Sequence, residues 1–418
     1  MYEAYDPYDK RWRRDPYPVY RELRDERPVH YASNSKSWCV SRYEDVEYVF
    51  RHPELFSSKT QQFLIPAEGR SLLSGLRLAA RFMWQMKVGP RSMRGSRMLI
   101  QEDGDIHTTM RAFVNRGFTP RNIARLEKRI SEIVATCMDE MRGRDSFDLV
   151  SELNVPLPVT VIAEMLGVEP ERRRQFKTWS DNLIQSASNP EPERVEELLD
   201  TMAEMRAYLQ PIVDARRANP TDDLISTLIA TEGEGALSDF EVFFFVLLLL
   251  VAGNETTTNL IGNAVNALLD HPEVLERVAA EPALVPGLIE ETLRYDAPIQ
   301  LVFRAATEDT EIGHTRIPKD AVVAVLLGSA NRDAARFEQP DVFDIDRDAR
   351  GHLAFGLGVH FCLGSSLARL EARVALEALT PELPRLKSVA ARDELIDSFL
   401  VRGRRHLHLA SESAILPG

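Results

Sequence analysis

The sequence contains little cysteine, and its cysteines are not spaced for cross-linking or for a cysteine-rich zinc site. Only three of the 418 residues are cysteine, and no two of them form a C-x-x-C pair. An odd number of widely spaced cysteines argues against a disulfide framework. Cys39 lies in a predicted strand and Cys137 on a predicted amphipathic helix, so we interpret both as packed side chains without a chemical role.

Positive charge is also in short supply. The chain has 51 Lys and Arg residues against 64 Asp and Glu residues, which gives a net charge of −13. A general nucleic-acid-binding protein needs a basic face to neutralise phosphates, so this class is disfavoured and no nucleic-acid partner is expected. With 44% hydrophobic and 28% charged residues, the composition is that of a globular protein and not of a disordered chain.

Long apolar runs are absent as well. The longest, at 242–253, has twelve positions, whereas a helix that spans a bilayer needs about 20 apolar residues. This run therefore predicts a buried helix. Residues 1–14 are charged and aromatic and lack the apolar core of a secretory signal. We expect a cytoplasmic protein without a membrane anchor.

Helical periodicity is the strongest pattern that the sequence does contain. Apolar residues recur at helical spacing from about 106 to 297, and strand-like segments are confined to about 1–60 and 298–418. Ser238 and Glu241 form a capping box at the start of the long apolar helix, which is expected to end near Leu269. The sequence lacks the alternation of strands and helices that would indicate a Rossmann sheet. We predict a mainly α protein with a minor β lobe, of the α+β class, folded as a single domain over residues 1–418.

Cys362 differs from the other two cysteines in its surroundings. Glycines lie on both sides of it in the segment 355–364, FGLGVHFCLG, and a helix is predicted directly afterwards. Glycine lets the backbone adopt unusual angles, and the unpaired N–H groups at a helix start favour a thiolate. A stabilised thiolate is either a nucleophile or a metal ligand. His360 is close enough in sequence to make a cysteine hydrolase conceivable, and a glycine-rich helix cap would explain the glycines alone.

The same segment resembles the cysteine loop of the cytochrome P450 superfamily, F-G-x-G-x-H-x-C-x-G, in its soluble bacterial type. All six fixed positions match: Phe355, Gly356, Gly358, His360, Cys362 and Gly364. The resemblance implies that Cys362 is the proximal ligand of the iron in heme b, to which a thiolate donates electron density. It also implies the fold of that family, a triangular helical prism with the haem between the long central helix and the cysteine-loop helix.

A second segment that resembles this family has the spacing E-x-x-R. Glu291 and Arg294 are three residues apart on a predicted helix, so they can pair on one face. The resemblance implies a buried ion pair with a structural role. Some families place an arginine in the proline motif that follows, but this chain has Val342 at the comparable position, so no third member of the cluster is assigned.

A third matching segment lies within the apolar helix, where Gly253, Glu255 and Thr256 occupy the defining positions of A-G-x-[D/E]-T. Polar groups that interrupt an apolar run cost free energy unless they are paired. The resemblance implies that Gly253 leaves room for dioxygen and that Thr256 and Glu255 are catalytic residues that direct protons. For Thr257 and Thr258, hydrogen bonding back to their own helix is the simpler interpretation.

Four basic side chains match the positions that bind the haem propionates in bacterial members of the family. His107 and Arg111 are four residues apart and share one face of a predicted helix. Arg304 follows the helix of the ion pair, and His360 lies in the cysteine loop. Each alone would more often be a surface or core residue, but two carboxylates need about this many donors.

The activity that the resemblance implies is a monooxygenase reaction, in which one oxygen atom of dioxygen enters an apolar small molecule of the fatty acid, terpenoid, steroid or polyketide class. No G-x-G-x-x-G follows a predicted strand, so electrons from NAD(P)H are expected to arrive through a ferredoxin and its reductase. Arg369 and Arg373 on the last helix could help to dock an acidic partner, or could belong to a solvated helix face. We expect a monomer. The alternatives are a peroxide-driven peroxygenase and a haem-thiolate binding or sensor protein without turnover.

The substrate pocket is expected to draw on residues 60–100, on the helices near 176–215, on the central helix and on two later loops. The named candidates are apolar: Leu249, Ala252, Ile299, Leu301, Val302, Phe399 and Leu400. Packing in the hydrophobic core is an equally good interpretation of several of them.

Overall fold

The computed structural model describes residues 2–60, 72–86, 89, 97–169, 172–188, 192–230, 237–389 and 393–411. The segment 60–100 was assigned to the substrate pocket above, and its residues 61–71, 87–88 and 90–96 lie outside this described set.

The chain forms long helices and short strands. The helices are α1 (Tyr17–Glu26), α2 (Tyr43–Arg51), α3 (Leu72–Gln85), α4 (Gly104–Asn115), α5 (Pro120–Met141), α6 (Pro156–Met165), α7 (Arg173–Ser188), α8 (Pro192–Ala218), α9 (Leu224–Ile229), α10 (Asp239–Asp270), α11 (Pro272–Ala280), α12 (Val285–Tyr295), α13 (Leu327–Ala330) and α14 (Ser365–Leu379). The strands are β1 (Val29–Ala32), β2 (Ser37–Val40), β3 (Phe56–Ser57), β4 (Ser146–Asp148), β5 (Val302–Ala306), β6 (Thr310–Ile312), β7 (Thr315–Ile317), β8 (Val322–Val325), β9 (Leu386–Ser388), β10 (Glu394–Leu395), β11 (Arg404–His406) and β12 (His408–Ser411). Short 3-10 turns include Leu99–Gln101 and Gly358–His360, and Val150–Asn154 is a π-helical turn.

This content confirms the predicted mainly α, α+β class, since 57% of the chain is helical and the sheets are small. The strands fall before residue 60 and after residue 298, as predicted, with the exception of β4. That strand has three residues, which is too short for an alternating pattern to be recognised in the sequence.

Contacts between Cα atoms divide the chain into two compact units. The first comprises Met1–Ser57, Pro120–Val161 and Gly253–Gly418, and the second comprises Ser58–Thr119 and Ile162–Ala252. The division falls within α10, which contributes its first part to one unit and its second part to the other.

A five-stranded sheet of order β1-β2-β8-β5-β3 forms part of the first unit. It is antiparallel except for the parallel pair β2–β8. Successive side chains of a strand point to opposite faces, and here Val40 and Val323 join the apolar cluster that contains α2, whereas Cys39 and Ala324 join the cluster that contains α1. The sheet is therefore buried on both faces, and Cys39 is a packed side chain.

The last long helix, α14, packs against α5 and α12 within the same unit. Its buried positions include Leu367, Val374 and Ala375, which recur at the spacing of one helix face. Cys137 on α5 is also buried. Because the cysteine loop precedes α14 directly, this packing fixes the end of the loop in the first unit.

The second unit is organised around α8, against which α3, α7 and α9 pack. Phe176, Trp179 and Tyr208 form an aromatic cluster with ring centroids 5.2 to 5.9 Å apart. Aromatic side chains bury large apolar areas and favour such tilted arrangements, so this cluster accounts for much of the α7–α8 packing.

The long apolar helix α10 starts and stops where the sequence predicts. The Glu241 carboxylate accepts from the Ser238 N–H (2.8 Å), and the Glu241 N–H donates to the Ser238 hydroxyl (3.3 Å), which together form a capping box. The helix ends at Asp270, directly before His271 and Pro272. By length and composition it could cross a membrane, but 61% of its most apolar window is buried inside the protein, as expected of a core helix.

Candidate active site

The cysteine loop folds back on itself and places Cys362 just before α14. The Cys362 N–H donates to the Phe355 carbonyl oxygen (2.9 Å), and the Phe361 N–H donates to the Gly358 carbonyl oxygen (3.0 Å). Gly364 is the N-cap residue of α14. A half-buried sulfur at this place lies beside the N-terminus of a helix, where unpaired N–H groups and the helix dipole favour the thiolate.

Two glycines with left-handed backbone angles make this path possible. Gly356 and Gly358 have φ values of 68° and 72°, which side chains rarely adopt. A Cβ atom on Gly358 would lie 2.9 Å from the Phe50 carbonyl oxygen, so α2 closes this side of the loop. A Cβ atom on Gly364 would meet no described atom within 4 Å. The loop is therefore packed at Gly358 and open at Gly364.

The donor set at Cys362 fits haem iron better than a zinc-type site. Among the described residues, no group of three or more His, Cys, Asp or Glu ligand atoms includes Cys362. Structural zinc sites need four protein ligands. A single thiolate next to open space instead fits a metal that brings its equatorial ligands with it, as haem does.

The middle of α10 combines a buried carboxylate with an open face. Glu255 and Thr257 are buried, whereas Ala252 is exposed and Gly253 and Thr256 are half-buried. The last three share one face of the helix, because they stand at positions i, i+1 and i+4. This face presents the Thr256 hydroxyl and leaves room beside the helix at the small residues, and the Glu255 carboxyl lies one residue before the hydroxyl.

The two threonines that follow form hydrogen bonds to other elements. The Thr258 hydroxyl donates to the Asn154 carbonyl oxygen in the π-helical turn (2.8 Å) and also approaches the Asn254 side chain (3.3 Å). The Thr257 hydroxyl is hydrogen-bonded to the Glu371 carboxyl on α14. These hydrogen bonds join α10 to two other parts of the first unit, so both threonines position the helix.

Glu371 is a functional candidate that the sequence reasoning missed. Its side chain is 1% exposed, and burial raises the pKa of its carboxyl to about 8, against the opposing effect of the Thr257 hydrogen bond. Its Oε1 atom has no hydrogen-bond partner among the described residues. A signal was present in the sequence, because Glu371 falls on the apolar stripe of α14 between Leu367 and Val374. A carboxyl with a pKa near neutrality, bonded to the residue after Thr256, can hold and release a proton.

The raised pKa of Glu371 predicts a specific loss of stability with pH. The folded pKa, about 8, is above the ordinary value of 4.5, so between these values the native state holds a proton that the unfolded chain releases. Stability contributed by this group therefore falls as the pH rises from about 4.5 to 8, by an amount on the order of a few kcal/mol. We expect Glu371→Gln to unfold at higher denaturant concentration than the wild type at pH 8, and to lose that advantage at pH 5. Parallel pH dependences of the midpoints for the two proteins would contradict the assignment.

The four predicted propionate-binding residues divide between the two units. His107 and Arg111 lie on one face of α4 in the second unit, where His107 is buried and Arg111 half-buried. Arg304 in β5 and His360 in the cysteine loop belong to the first unit, and both are half-buried. The Arg304 guanidinium donates to the Phe303 carbonyl oxygen (2.8 Å) and lies 5.5 Å from the centroid of the Phe50 ring.

Glu291 and Arg294 form a fully buried ion pair. Arg294 donates through Nε and Nη2 to the two carboxylate oxygens of Glu291, both at 2.8 Å, and neither side chain is exposed. Its remaining N–H groups donate to carbonyl oxygens at Asn331 (3.0 Å), Pro340 (2.8 Å) and Val342 (3.3 Å). A side-chain cluster therefore joins α12 to the irregular segment that leads to the cysteine loop.

A third charged residue, Arg347, does reach this cluster. The Arg347 Nε atom lies 3.5 Å from the Glu291 carboxylate, and Arg347 also donates to the Gln339 carbonyl oxygen (3.2 Å). Val342, at the position compared in the sequence, contributes only its backbone carbonyl oxygen. The third member therefore stands five residues later than the motif position at which it was sought.

The candidate pocket residues fall into different environments. Leu301 is 1% exposed and belongs to an apolar cluster with the N-terminal segment, in which Phe399 and Leu400 also pack. The Phe399 ring lies 4.7 Å from that of Tyr8. These contacts favour core packing for the three residues. Ile299 and Val302 are half-buried, Leu249 is buried and Ala252 is exposed.

A depression of about 640 Å³ opens on the surface around the outer side of the cysteine loop. Its charged lining residues are Glu47, Arg51, Glu290, Arg336, Arg350 and Arg369. The adjacent side chains of Val359 and Phe361 are 49% and 40% exposed. Arg369 is paired with Glu290 (2.6 Å), and Arg373 is paired with Glu127 (2.6 Å) and Glu377. The depression therefore combines an arginine excess with exposed apolar side chains.

Comparisons with known proteins converge on one family. A family model described as Cytochrome P450 matches residues 79–380. Cytochrome P450 109 of Bacillus spizizenii is 39% identical over 388 residues, which cover 92% of this chain and 88% of the relative. A vitamin D(3) 25-hydroxylase of Pseudonocardia autotrophica is 36% identical over 408 residues, covering 96% of this chain and 95% of the relative.

A solved structure gives the same result for the fold. The structure of cytochrome P450 CYP109Q5 from Chondromyces apiculatus superposes with a TM-score of 0.85 at 40% sequence identity, and the match covers 98% of this chain and 99% of that one. This likeness extends through both units, and it confirms the fold that the cysteine-loop motif implied.

Proposed function

The chain belongs to the cytochrome P450 family and is a monooxygenase of that family, and we propose that it binds heme b through Cys362 and inserts one oxygen atom of dioxygen into an apolar small molecule. The observation that carries this proposal is the half-buried cysteine at the N-terminus of α14, on a turn built by two left-handed glycines. Haem, when bound, supplies the redox chemistry of dioxygen activation, and the protein supplies orientation and electrostatics.

The residues proposed to hold the cofactor are Cys362 for the iron and four basic side chains for the propionates. Arg304 lies in β5, His360 in the cysteine loop, and His107 and Arg111 on α4. Charge-assisted hydrogen bonds to carboxylates are stronger than neutral ones, so these side chains would fix the propionate edge. The open space beside Gly364 supports close approach of a flat group to the loop.

Proton delivery is proposed to use the polar residues in the middle of α10. Thr256 lies on the open face, Glu255 precedes it in the chain as a buried carboxyl, and Thr257 links the helix to Glu371. A side chain transfers protons most efficiently when its pKa lies near the working pH. Glu371, with a pKa of about 8, meets this condition near neutral pH. We therefore propose Glu255 and Thr256 as catalytic residues and Glu371 as a positioning residue that also stores a proton.

Replacement of Thr256 with alanine tests this arrangement. We expect product formation to fall by about tenfold or more, since a positioned proton donor contributes about 10²–10⁴-fold, and the consumed electrons to appear as hydrogen peroxide. The measurement is the ratio of product to peroxide per NAD(P)H oxidised. Thr256→Ser, which keeps the hydroxyl, should restore most of the coupling.

Thr258→Ala is the matched control for that experiment, because it removes a hydroxyl that is committed to the Asn154 carbonyl oxygen. It should lower stability and leave the ratio of product to peroxide close to the wild-type value. Equal uncoupling in the two alanine variants would remove Thr256 from the proton pathway.

The proposed substrate is an apolar molecule of the fatty acid, terpenoid, steroid or polyketide class, with the steroid-like scaffolds as the first to test. The similarity to a vitamin D(3) 25-hydroxylase supports this choice. A spectral titration of the purified ferric protein with a panel of such compounds is the direct test. Compounds that bind should shift the haem spectrum with saturable dependence, and no shift from any apolar compound would overturn the proposed substrate class.

Electrons are proposed to come from a ferredoxin and its reductase in the cytoplasm, with NAD(P)H as the source. The arginine excess of the surface depression and the exposed Val359 and Phe361 support docking of an acidic partner near the cysteine loop. The peroxygenase alternative is separated by supplying either the reductase system or peroxide alone. Product that depends on the reductase system supports the monooxygenase with protein partners, and product from peroxide alone supports the alternative.

A further inference from the structure

Two histidines and an aspartate outside the cysteine-loop site lie close together in the first unit. Asp148 and His408 belong to a three-stranded sheet of order β4-β12-β9, and His406 is the last residue of β11, which pairs with β10. His408 is directly opposite Asp148 in the β12–β4 register. Directly opposed residues of an antiparallel pair point to the same face. His406, two positions before His408 at the end of β11, contacts Asp148 through its Nδ1 atom and therefore lies on the same side.

The opposite face of the same strands is part of the hydrophobic core. Leu407 and Leu409, which alternate with the two histidines, are fully buried. His406 and His408 are half-buried in contrast, and Asp148 is 9% exposed. Burial of the two leucines therefore fixes the register. The fixed register keeps the three polar side chains on one side, where solvent ions can reach the two half-buried histidines.

The ligand atoms of the three residues lie near the separations found around a bound metal ion. One ligand atom from each of the three residues lies within 4.8 Å of those of the other two. His406 Nδ1 is 2.8 Å from the Asp148 Oδ2 atom, and the two imidazole rings are stacked with centroids 5.7 Å apart at 19°. Ligand atoms around tetrahedral zinc are about 3.3 Å apart, given bonds of about 2.0–2.1 Å. Small rotations of the partly exposed histidines are enough to reach that spacing.

The aspartate is already positioned as a ligand. Its Oδ1 atom accepts from the N–H groups of Leu407 (2.9 Å) and Val150 (3.2 Å). These bonds orient the carboxylate and leave Oδ2 directed toward His406, in the manner of outer-shell contacts that hold metal ligands in place.

The nearby charges leave the site favourable to a cation. Asp393 accepts from the His408 N–H (2.9 Å) and from the Ser388 hydroxyl (2.8 Å), which brings a second carboxylate beside β12. Arg404, 3.7 Å from Asp393, offsets part of that charge. Imidazole nitrogen with carboxylate oxygen is a donor set that suits zinc and its neighbours in the first transition row.

We propose that Asp148, His406 and His408 bind a divalent transition-metal ion, with Zn²⁺ as the expected ion, as an exchangeable cross-link between β4 and the C-terminal strands. Three protein ligands leave at least one coordination position for water, which distinguishes this site from a closed four-ligand structural site. When the ion binds at His406 Nδ1, a proton held between that atom and Asp148 Oδ2 moves to His406 Nε2 or is released to solvent. The ion would tie residues 146–148 to residues 404–411, segments that are more than 250 positions apart in the chain.

The test is calorimetric titration of the metal-stripped, haem-loaded protein with Zn²⁺, together with thermal unfolding with and without the ion. We expect one Zn²⁺ per chain and a higher unfolding temperature in its presence. His406→Ala and His408→Ala should each weaken binding by more than about tenfold, since loss even of an outer-shell partner costs about 10–100-fold. The matched control is His314→Asn, which removes a fully exposed histidine at a left-handed position and should leave binding unchanged.

Two further measurements keep the proposal falsifiable if a histidine variant fails to fold. Asp148→Asn keeps the shape of the side chain and should also weaken binding, and crystals of the wild type soaked in Zn²⁺ should show an anomalous scattering peak among the three side chains. No binding by the wild type, binding that survives in both histidine variants, or a peak elsewhere in the protein would each overturn the site and leave the His406–Asp148 contact as a simple ion pair.

Discussion

Replacement of Cys362 with alanine is expected to abolish product formation and to remove the long-wavelength Soret band that a thiolate ligand gives the reduced, carbon-monoxide-bound protein. The reason is that the variant keeps the loop but loses its thiolate. Among the described residues, Cys362 belongs to no group of metal-ligand side chains that could replace it. A thiolate donates electron density that favours cleavage of the O–O bond. Residual haem binding through the propionates would leave a coloured protein without that band.

Cys137→Ala is the matched control for this experiment. Cys137 is a buried cysteine on α5, within the unit that contains the cysteine loop. Its replacement should cost a modest amount of stability through lost packing and should leave the Soret band and turnover in place. Persistence of the band in Cys362→Ala would show that another side chain ligates the iron.

Replacement of Arg294 with methionine is expected to destabilise the protein by about 3–5 kcal/mol, because it leaves the Glu291 carboxylate buried without its charge partner. The variant also removes the donors to carbonyl oxygens at Asn331, Pro340 and Val342. Losses of this size are a large part of the stability of a folded protein. We expect a much lower yield of soluble holoprotein and a correspondingly lower denaturation midpoint.

The chain offers a close control for the buried pair in Arg129 and Glu132. These residues have the same spacing on a helix, but their side chains are 43% and 49% exposed. Arg129→Met should change stability by about 0.5 kcal/mol or less. Similar midpoints for the two variants would contradict the view that burial, and not the E-x-x-R spacing, gives the pair its importance.

The parts of this protein that local sequence determines were predictable. The capping box at Ser238, the helix stop at His271-Pro272 and the glycine pattern around Cys362 all depend on residues within a few positions of one another. Backbone freedom at Gly356 and Gly358 is a property of the residue type itself. The cysteine loop itself was identified by its resemblance to the family motif, before its hydrogen bonds were known.

The parts that depend on distant contacts were not predictable from the sequence. Arg347 reaches Glu291 because the segment after α13 folds back onto α12, and nothing in its local sequence indicates this. Glu371 was overlooked for a related reason. Its place on an apolar stripe was visible in the sequence, but its contact with the distant residue Thr257 was not. Leu301 shows the same limit, because an apolar residue suits a pocket and a core equally well until its neighbours are known.

Iron X-ray absorption spectroscopy of the haem-loaded protein tests the central claim most directly, because it detects the atoms bound to the metal. The account predicts one sulfur scatterer in the first shell of the wild-type iron, and its loss in Cys362→Ser. A first shell made only of nitrogen and oxygen in the wild type, or a sulfur that remains in the serine variant, would contradict it.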